Sequence, residues 1–482
     1  MNINSLITKY KNSSVTFRAT VWYTACNILQ KISAFLIIPF LTRLLTTDDY
    51  GMYTVFLSWL DIFEIFATMR MYSNGYVAGV IKNESDSRSY TASVQFSSLL
   101  TSTLLLFSYH IFSAEISSLV KIEPKLMYMM LLSYYAASGV GIWSAKQRVN
   151  NKYRSMTAVT LCYGVLAPLC SIIAAWFATD KLEAAIIVRI AVQLSVALPF
   201  ILHNLLGKRK KIIWSYCREA FRFNLPLVPY YLSMVLLNSS DRIMIQRLAG
   251  ESEAAIYGVA YSLSMAIFVF SGALNLALQP WMFRSLKENS DKNRTFTFNV
   301  SLVFIAVLNL MVVIAAPELI YITASSEYQQ AIWTMPPIAS SLLIMFIYQQ
   351  FLNIHFYFGK NRIVFIASFI AAGTNIALNF VCIRHFGYIA AGYTTLLSYT
   401  LIAVLYYFTM KNISAKNNVN YKNYFSMRFI FAVLSAFAVL TVASALLYPY
   451  PVIRYAIIGV AVLICIIGRK KLISMFKQSG LI

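Results

Sequence analysis

Charge is scarce in this chain. Asp, Glu, Lys and Arg together make up 12% of its 482 residues, about half the share of an ordinary soluble domain. Acidic residues are scarcest, 18 against 40 basic ones. Long polar stretches are missing as well, so no separate soluble domain is in evidence. The six cysteines (Cys26, Cys162, Cys170, Cys217, Cys382, Cys465) lie scattered, mostly inside apolar runs. No pair has metal or redox spacing, and they read as small apolar residues. The four histidines, His110, His203, His355 and His385, are isolated. Each reads as a satisfied or interfacial imidazole, and only His355, beside Gln349, Gln350 and Asn353, invites a closer look. A GxxxxGK[ST] phosphate loop is absent, since Gly207-Lys208 and Gly359-Lys360 lack the rest of the pattern. That argues against a one-chain ATP-driven pump. Without a nucleophile elbow, zinc motif, dense acidic cluster or long outer loop, nothing points to an enzyme.

What is present is apolar surface: 59% hydrophobic residues and a mean hydropathy of +0.65. Apolar runs long enough to cross a bilayer recur from end to end. Fourteen spans are predicted, near 17–41, 50–78, 90–113, 124–145, 155–178, 182–206, 223–247, 255–282, 295–316, 330–358, 363–383, 387–410, 427–448 and 450–468. In lipid each satisfies its backbone only as a helix, which makes this an all-α integral membrane protein. The net charge of +22 would suit nucleic acid, but the Lys and Arg residues gather in alternate short loops. Lys146, Arg148, Lys152 and Arg154 share one such loop; Lys208, Arg209, Lys210 and Lys211 share another. This asymmetry is an orientation signal, and it predicts both termini in the cytoplasm. The polar first 18 residues do not resemble a cleavable signal, so the first span is expected to stay as an anchor.

The chain also repeats itself. DDYGMYTVFLSW from Asp48 resembles EAAIYGVAYSLS from Glu253, with Tyr50-Gly51 matching Tyr257-Gly258 at an offset of 207 residues. The same offset carries span 5 to span 11 and span 6 to span 12. The expected plan is an N-lobe (1–206, six helices), a basic linker (207–222), a C-lobe (223–413, six helices) and two extra helices with a basic tail (414–482). Parallel repeats of this kind enclose a central cavity in transporters. Prolines inside spans (Pro39, Pro168, Pro199, Pro226, Pro229, Pro280, Pro336, Pro337) are candidate bends, although proline is common in membrane helices generally.

Polar residues inside spans are costly unless they face a cavity or a partner helix. Thr20, Tyr23, Thr24, Asn27, Gln30 and Lys31 share one face of span 1. Tyr257, Tyr261, Ser264, Ser271, Asn275 and Gln279 share a face of span 8. The repeat maps that stripe onto Tyr50, Thr54, Leu57, Glu64, Thr68 and Tyr72 of span 2. Asn27, Tyr257, Tyr261 and Asn275 are therefore candidate cavity residues. Lys31, Arg70, Arg189 and Arg242 are cations suited to a pyrophosphate or acidic sugar. Asp61, Glu64 and Asp241 are candidates to carry a coupling proton or cation. The plain alternative is internal pairing that orients helices, and Arg70, off the face of Glu64 and Asp61, is the weakest of the set.

FLTRLLTTDDYGMYTVFLSW from Phe40, RFNLPLVPYYLSMVLLNSSDRIMIQRLAGESEAAIYGVAYSL from Arg222, GTNIALNFVCIRHFGYIAAGYTTLLSY from Gly373 and KQRVNNKYR from Lys146 carry a family likeness. With them the chain resembles polysaccharide transporters of the multidrug/oligosaccharidyl-lipid/polysaccharide superfamily, most of all the Wzx-type O-antigen and capsule repeat-unit flippases. The resemblance implies a two-lobed fold around a central cavity in a bacterial inner membrane. The implied substrate is an undecaprenyl-pyrophosphate-linked oligosaccharide moved from the cytoplasmic to the periplasmic leaflet. It further implies coupling to an H+ or Na+ gradient with no bound cofactor, in company with a polysaccharide polymerase and chain-length machinery. Rivals are a cation-coupled drug or small-molecule exporter, the lipid II flippase of the same superfamily, and a membrane polysaccharide polymerase.

Overall fold

The computed structural model describes residues 15–150, 152–207, 210–288 and 294–467. Among them every regular element is helical. The chain forms two compact units, Met1–Val235 and Leu236–Ile482.

Unit 1 contains α1 (Val15–Leu44), α2 (Thr47–Thr68), α3 (Asn74–Lys82), α4 (Ser87–Ile111), α5 (Ser113–Val120), α6 (Pro124–Val149), α7 (Tyr153–Leu161), α8 (Ala167–Phe177), α9 (Lys181–Leu205), α10 (Trp214–Asn224) and the start of α11 (Val228–Leu248). Unit 2 takes the rest of α11, then α12 (Glu251–Ser264), α13 (Ala266–Glu288), α14 (Arg294–Ile314), α15 (Ala316–Thr323), α16 (Met335–Tyr357), α17 (Asn361–Phe386), α18 (Ala390–Lys416), α19 (Met427–Leu446) and α20 (Pro451–Ile467). Among the described residues ten helical spans are long and apolar enough to cross a membrane, and eleven if the bent α4–α5 pair is one span. The middle of α2, with Asp61 and Glu64, is not one of the ten.

Local chemistry starts and stops these helices. Thr46 caps α2 by accepting from Asp49 N at 3.1 Å, and Asp48 and Asp49 sit in the first turn where the helix dipole favours anions. Asp180 does the same for α9 through Glu183 N at 2.9 Å. The second predicted span is not one helix. Met69 and Arg70 take positive φ values of 48° and 45°, a conformation costing a non-glycine residue about 1–2 kcal/mol. Side chains hold the break. Arg70 N donates to Thr68 Oγ1, and the orphaned Ala67 carbonyl accepts from Thr101 Oγ1 at 2.6 Å and Ser102 Oγ at 3.0 Å.

Few of the candidate prolines sit in helix interiors. Pro39, Pro199 and Pro280 do. Pro336 and Pro337 lie at a helix start, where a missing N–H costs nothing, Pro168 follows a π-helical segment inside the Arg154–Phe177 span, and Pro226 lies in the 3-10 turn that joins α10 to α11. A π-helical segment, Cys162–Leu166, joins α7 to α8, and Gln30 Nε2 donates to the Thr160 carbonyl beside it.

In unit 1, α9 packs on α6 and α8; in unit 2, α18 packs on α16 and α17. Gly392 permits the α16–α18 approach, since a Cβ there would come within 2.9 Å of Pro337 Cγ. The final helices are fastened to unit 2. Arg454 pairs with Glu318 at 2.6 Å, and Tyr448 OH donates to the Val313 carbonyl.

Candidate functional site

Among the described residues unit 1 holds two polar centres built around charged side chains on its helices, besides a buried neutral cluster of Gln95, Ser138 and Asn204. In the first, Glu64 accepts from Tyr72 OH at 2.6 Å, and the Arg70 guanidinium stands 3.9 Å from its other oxygen. The left-handed turn at residues 69–70 is what brings Arg70 back to this carboxylate, against the expectation from uninterrupted helical spacing. Arg70 also lies 5.4 Å from the centre of the Tyr231 ring. The small Gly141 lets Tyr72 in, because a Cβ there would fall 2.8 Å from Tyr72 Cγ. In the second centre, Arg189 of α9 donates to Tyr53 OH of α2 at 2.6 Å. Asp61, one turn before Glu64 on α2, is exposed.

Unit 2 gathers its polar groups more tightly. Asp241 of α11 is 1% exposed. Its carboxylate accepts from Tyr257 OH of α12 at 2.6 Å, Asn379 Nδ2 of α17 at 2.7 Å and Thr395 Oγ1 of α18 at 2.7 Å. Four helices thus converge on one anion. Three donors suit an ionised carboxylate, which can only accept. A second ring of partners orients them: Asn379 donates to Asn375 Oδ1, Thr394 donates to Asn379 Oδ1, and Ser240 donates to Asn375 Oδ1. One turn away, Tyr261 and Tyr399 both donate to Asn238 Oδ1, and the Arg242 guanidinium lies 4.5 Å from the Tyr261 ring centre. For a partly exposed guanidinium such as Arg242, stacking over an aromatic face gains about 0.5–1 kcal/mol.

The structure therefore brings Asp241, Arg242, Tyr257 and Tyr261 together, and Glu64 with Arg70, while Arg189 stands with Tyr53. Asn275 belongs to a separate group, accepting from Gln350 Nε2 at 3.2 Å and Asn353 Nδ2 at 3.0 Å. His355 is buried between the Phe351 carbonyl and Thr409 Oγ1, at 3.0 and 2.7 Å. The side chains of Asn27 and Lys31 lie outside the described residues. Sequence reasoning missed Asn379, Thr395, Asn238 and Tyr53. Asn375 and Asn379, four apart inside an apolar span, were the available signal for the first of these.

A family model described as "Polysaccharide biosynthesis protein" matches residues 17–286. The chain is 22% identical over 414 residues to "Lsg locus putative protein 1" of Haemophilus influenzae, covering 82% of this chain and 98% of that protein. It is 21% identical over 275 residues to an "Uncharacterized membrane protein" of the same organism, covering 56% of this chain and 66% of that one. Among solved structures, an inward-facing multidrug resistance MATE family transporter of the MOP superfamily aligns with TM-score 0.65 at 13% identity, covering 81% of this chain and 96% of that one. The lipid II flippase MurJ, inward closed, aligns with TM-score 0.65 at 12% identity, covering 92% and 100%. The fold is shared with both.

Proposed function

This chain belongs to the polysaccharide biosynthesis protein family, and from that membership we propose that it flips an undecaprenyl-pyrophosphate-linked oligosaccharide across a bacterial inner membrane, from the cytoplasmic to the periplasmic leaflet. Family and fold are those of transporters and flippases rather than enzymes. The lipid tail of such a substrate can stay in the bilayer. Its sugars and pyrophosphate cannot enter hydrocarbon bare, because each unpaired polar group there costs several kcal/mol.

The observation that carries the reading is the pair of guanidinia held within membrane-length helices by tyrosines, Arg189 on Tyr53 and Arg242 over Tyr261. Arg189 and Arg242 are held against phenol groups, and a pyrophosphate would offer each a stronger, charge-assisted bond. A cation already neutralised by a tight carboxylate pair would be a poorer receptor. Asp241 and Glu64 are the groups on which a proton or Na+ would couple substrate movement to an ion gradient. Alternating access, open first to one leaflet and then to the other, carries the headgroup across, and a polymerase with its chain-length partner consumes it outside.

Two features favour flipping over small-molecule export. The flippase structure matches 92% of this chain and the exporter 81%. The family's named process is also polysaccharide biosynthesis. The test is reconstitution of the purified protein into vesicles with a fluorescent lipid-linked oligosaccharide in both leaflets. Flipping makes the inner pool accessible to an external glycosidase, and loss of that access in Arg189→Gln supports the assigned role. Transport of dye cations with no effect on lipid-linked sugar would establish the exporter reading instead.

A further inference from the structure

Unit 1 contains a cavity of about 570 Å³ that none of these groups touches. It lies at one end of the apolar helices α4, α6 and α9. Arg88, Lys146, Gln147, Lys152, His203 and Lys210 line it, and its lining includes no carboxylate. Among the described residues none of the four Lys and Arg side chains forms an ion pair.

Two of these cations have ordinary local partners. Lys146 Nζ donates to Thr91 Oγ1 at 3.2 Å. Lys210 Nζ caps the end of α9 through the His203 and Leu206 carbonyls. Those contacts leave both charges uncompensated. Burial and the nearby Arg88 guanidinium push the Lys210 ammonium below its usual range. Arg88 is the harder case. It sits in the first turn of α4, where the helix terminus is itself positive; Asp86 stands at the N-cap but does not line the pocket. Four like charges around a half-open volume, with Arg88 and Lys152 exposed to solvent, build a positive potential that an anion entering it relieves. The cavity wall is also fixed in place. Ile213 N donates to Ser93 Oγ at 2.9 Å and Lys211 N to Ser89 Oγ at 3.4 Å, pinning the segment after α9 against α4. The volume matches sites for small ligands.

We propose that this pocket binds a phosphate group, with Arg88, Lys146 and Lys210 as its principal donors. Its position at the ends of membrane-length helices suits a phospholipid headgroup, and a free pyrophosphate presents the same chemistry. It is a separate site from the intramembrane guanidinia of the proposed transport path.

The test uses the full chain, purified, in two arms. In nanodiscs, lipid retained on gentle delipidation is counted by native mass spectrometry, with phosphatidylglycerol against phosphatidylcholine. In detergent, inorganic pyrophosphate is titrated and the melting temperature is followed. Wild type is expected to retain phosphatidylglycerol selectively, to be stabilised by pyrophosphate, or both, and the arm that responds identifies the source. The Arg88→Gln/Lys210→Gln variant should bind about tenfold more weakly or worse. Lys411→Gln/Lys416→Gln, equal in charge removed, should bind as wild type. Should the first variant fail to fold, Lys152→Gln alone, an exposed position, should weaken binding about threefold. Absence of a response in both arms, or equal weakening by the two double variants, overturns the proposal. Continued flipping with this binding lost would leave the proposed function intact.

Discussion

The two units use matching helices for different chemistry. In unit 1, α9 reaches α2 through Arg189 and Tyr53. In unit 2, α18 reaches α12 through Thr395, Asp241 and Tyr257. By the 207-residue repeat α2 corresponds to α12, and α9 to α18. The residues themselves do not correspond: Arg189 maps onto Leu396, Asp241 onto Ala34 and Glu64 onto Ser271. In both units a polar contact links the helices matched by this offset, and its charge differs in sign. Unit 1 offers a cation on a single phenol. Unit 2 offers an anion held by three neutral donors from three other helices. The first rests on one hydrogen bond to a phenol, and the second on three bonds from three helices that pack around it.

Substitutions can break that contrast. The largest effect is expected at Asp241. Asp241→Ala leaves three buried donors without their acceptor, at about 1–3 kcal/mol each before relaxation. Transport should fall at least a hundredfold and the melting temperature should drop. Asp241→Asn should recover most of the melting temperature without the transport, which would separate its charge from its packing. An Asp241→Ala protein as stable as wild type would contradict the three-donor account. Arg189→Gln comes next: flipping should fall about tenfold or more while the melting temperature changes little, because only one phenol loses a partner. Equal losses of stability at Arg189 and Asp241 would erase the distinction between the units.

Gly141→Ala should cost about 1–3 kcal/mol by crowding Tyr72, read by thermal denaturation. The double variant Gly141→Ala/Tyr72→Phe should restore none of it, because the clash is with ring carbons. The smallest effect belongs to Tyr72→Phe, about 1 kcal/mol. It removes a donor from Glu64 while Arg70 remains 3.9 Å away.

Much of this was legible before any coordinates. Long apolar runs must become helices in lipid, so the helical fold followed from hydropathy alone. Asp241 and Glu64 stood out because a carboxylate inside a span is rare. Their surroundings were less legible. Asn379 and Thr395 lie 138 and 154 residues from Asp241 in sequence, and only tertiary packing brings them to it. The break after α2 was also hidden. Neither glycine nor proline marks residues 69–70, and the turn is stabilised by Thr101 and Ser102 from another helix. Arg70 looked misplaced because an unbroken helix was assumed beneath it.

The central claim is movement of a lipid-linked oligosaccharide between leaflets. The most direct measurement is the leaflet position of lipid-linked repeat units in cells depleted of this protein, read by an impermeant glycan label. The account predicts that units accumulate unlabelled on the cytoplasmic side while surface polymer disappears, and that wild-type protein but not Arg189→Gln restores labelling. Units that reach the outer surface at the normal rate without the protein would contradict it.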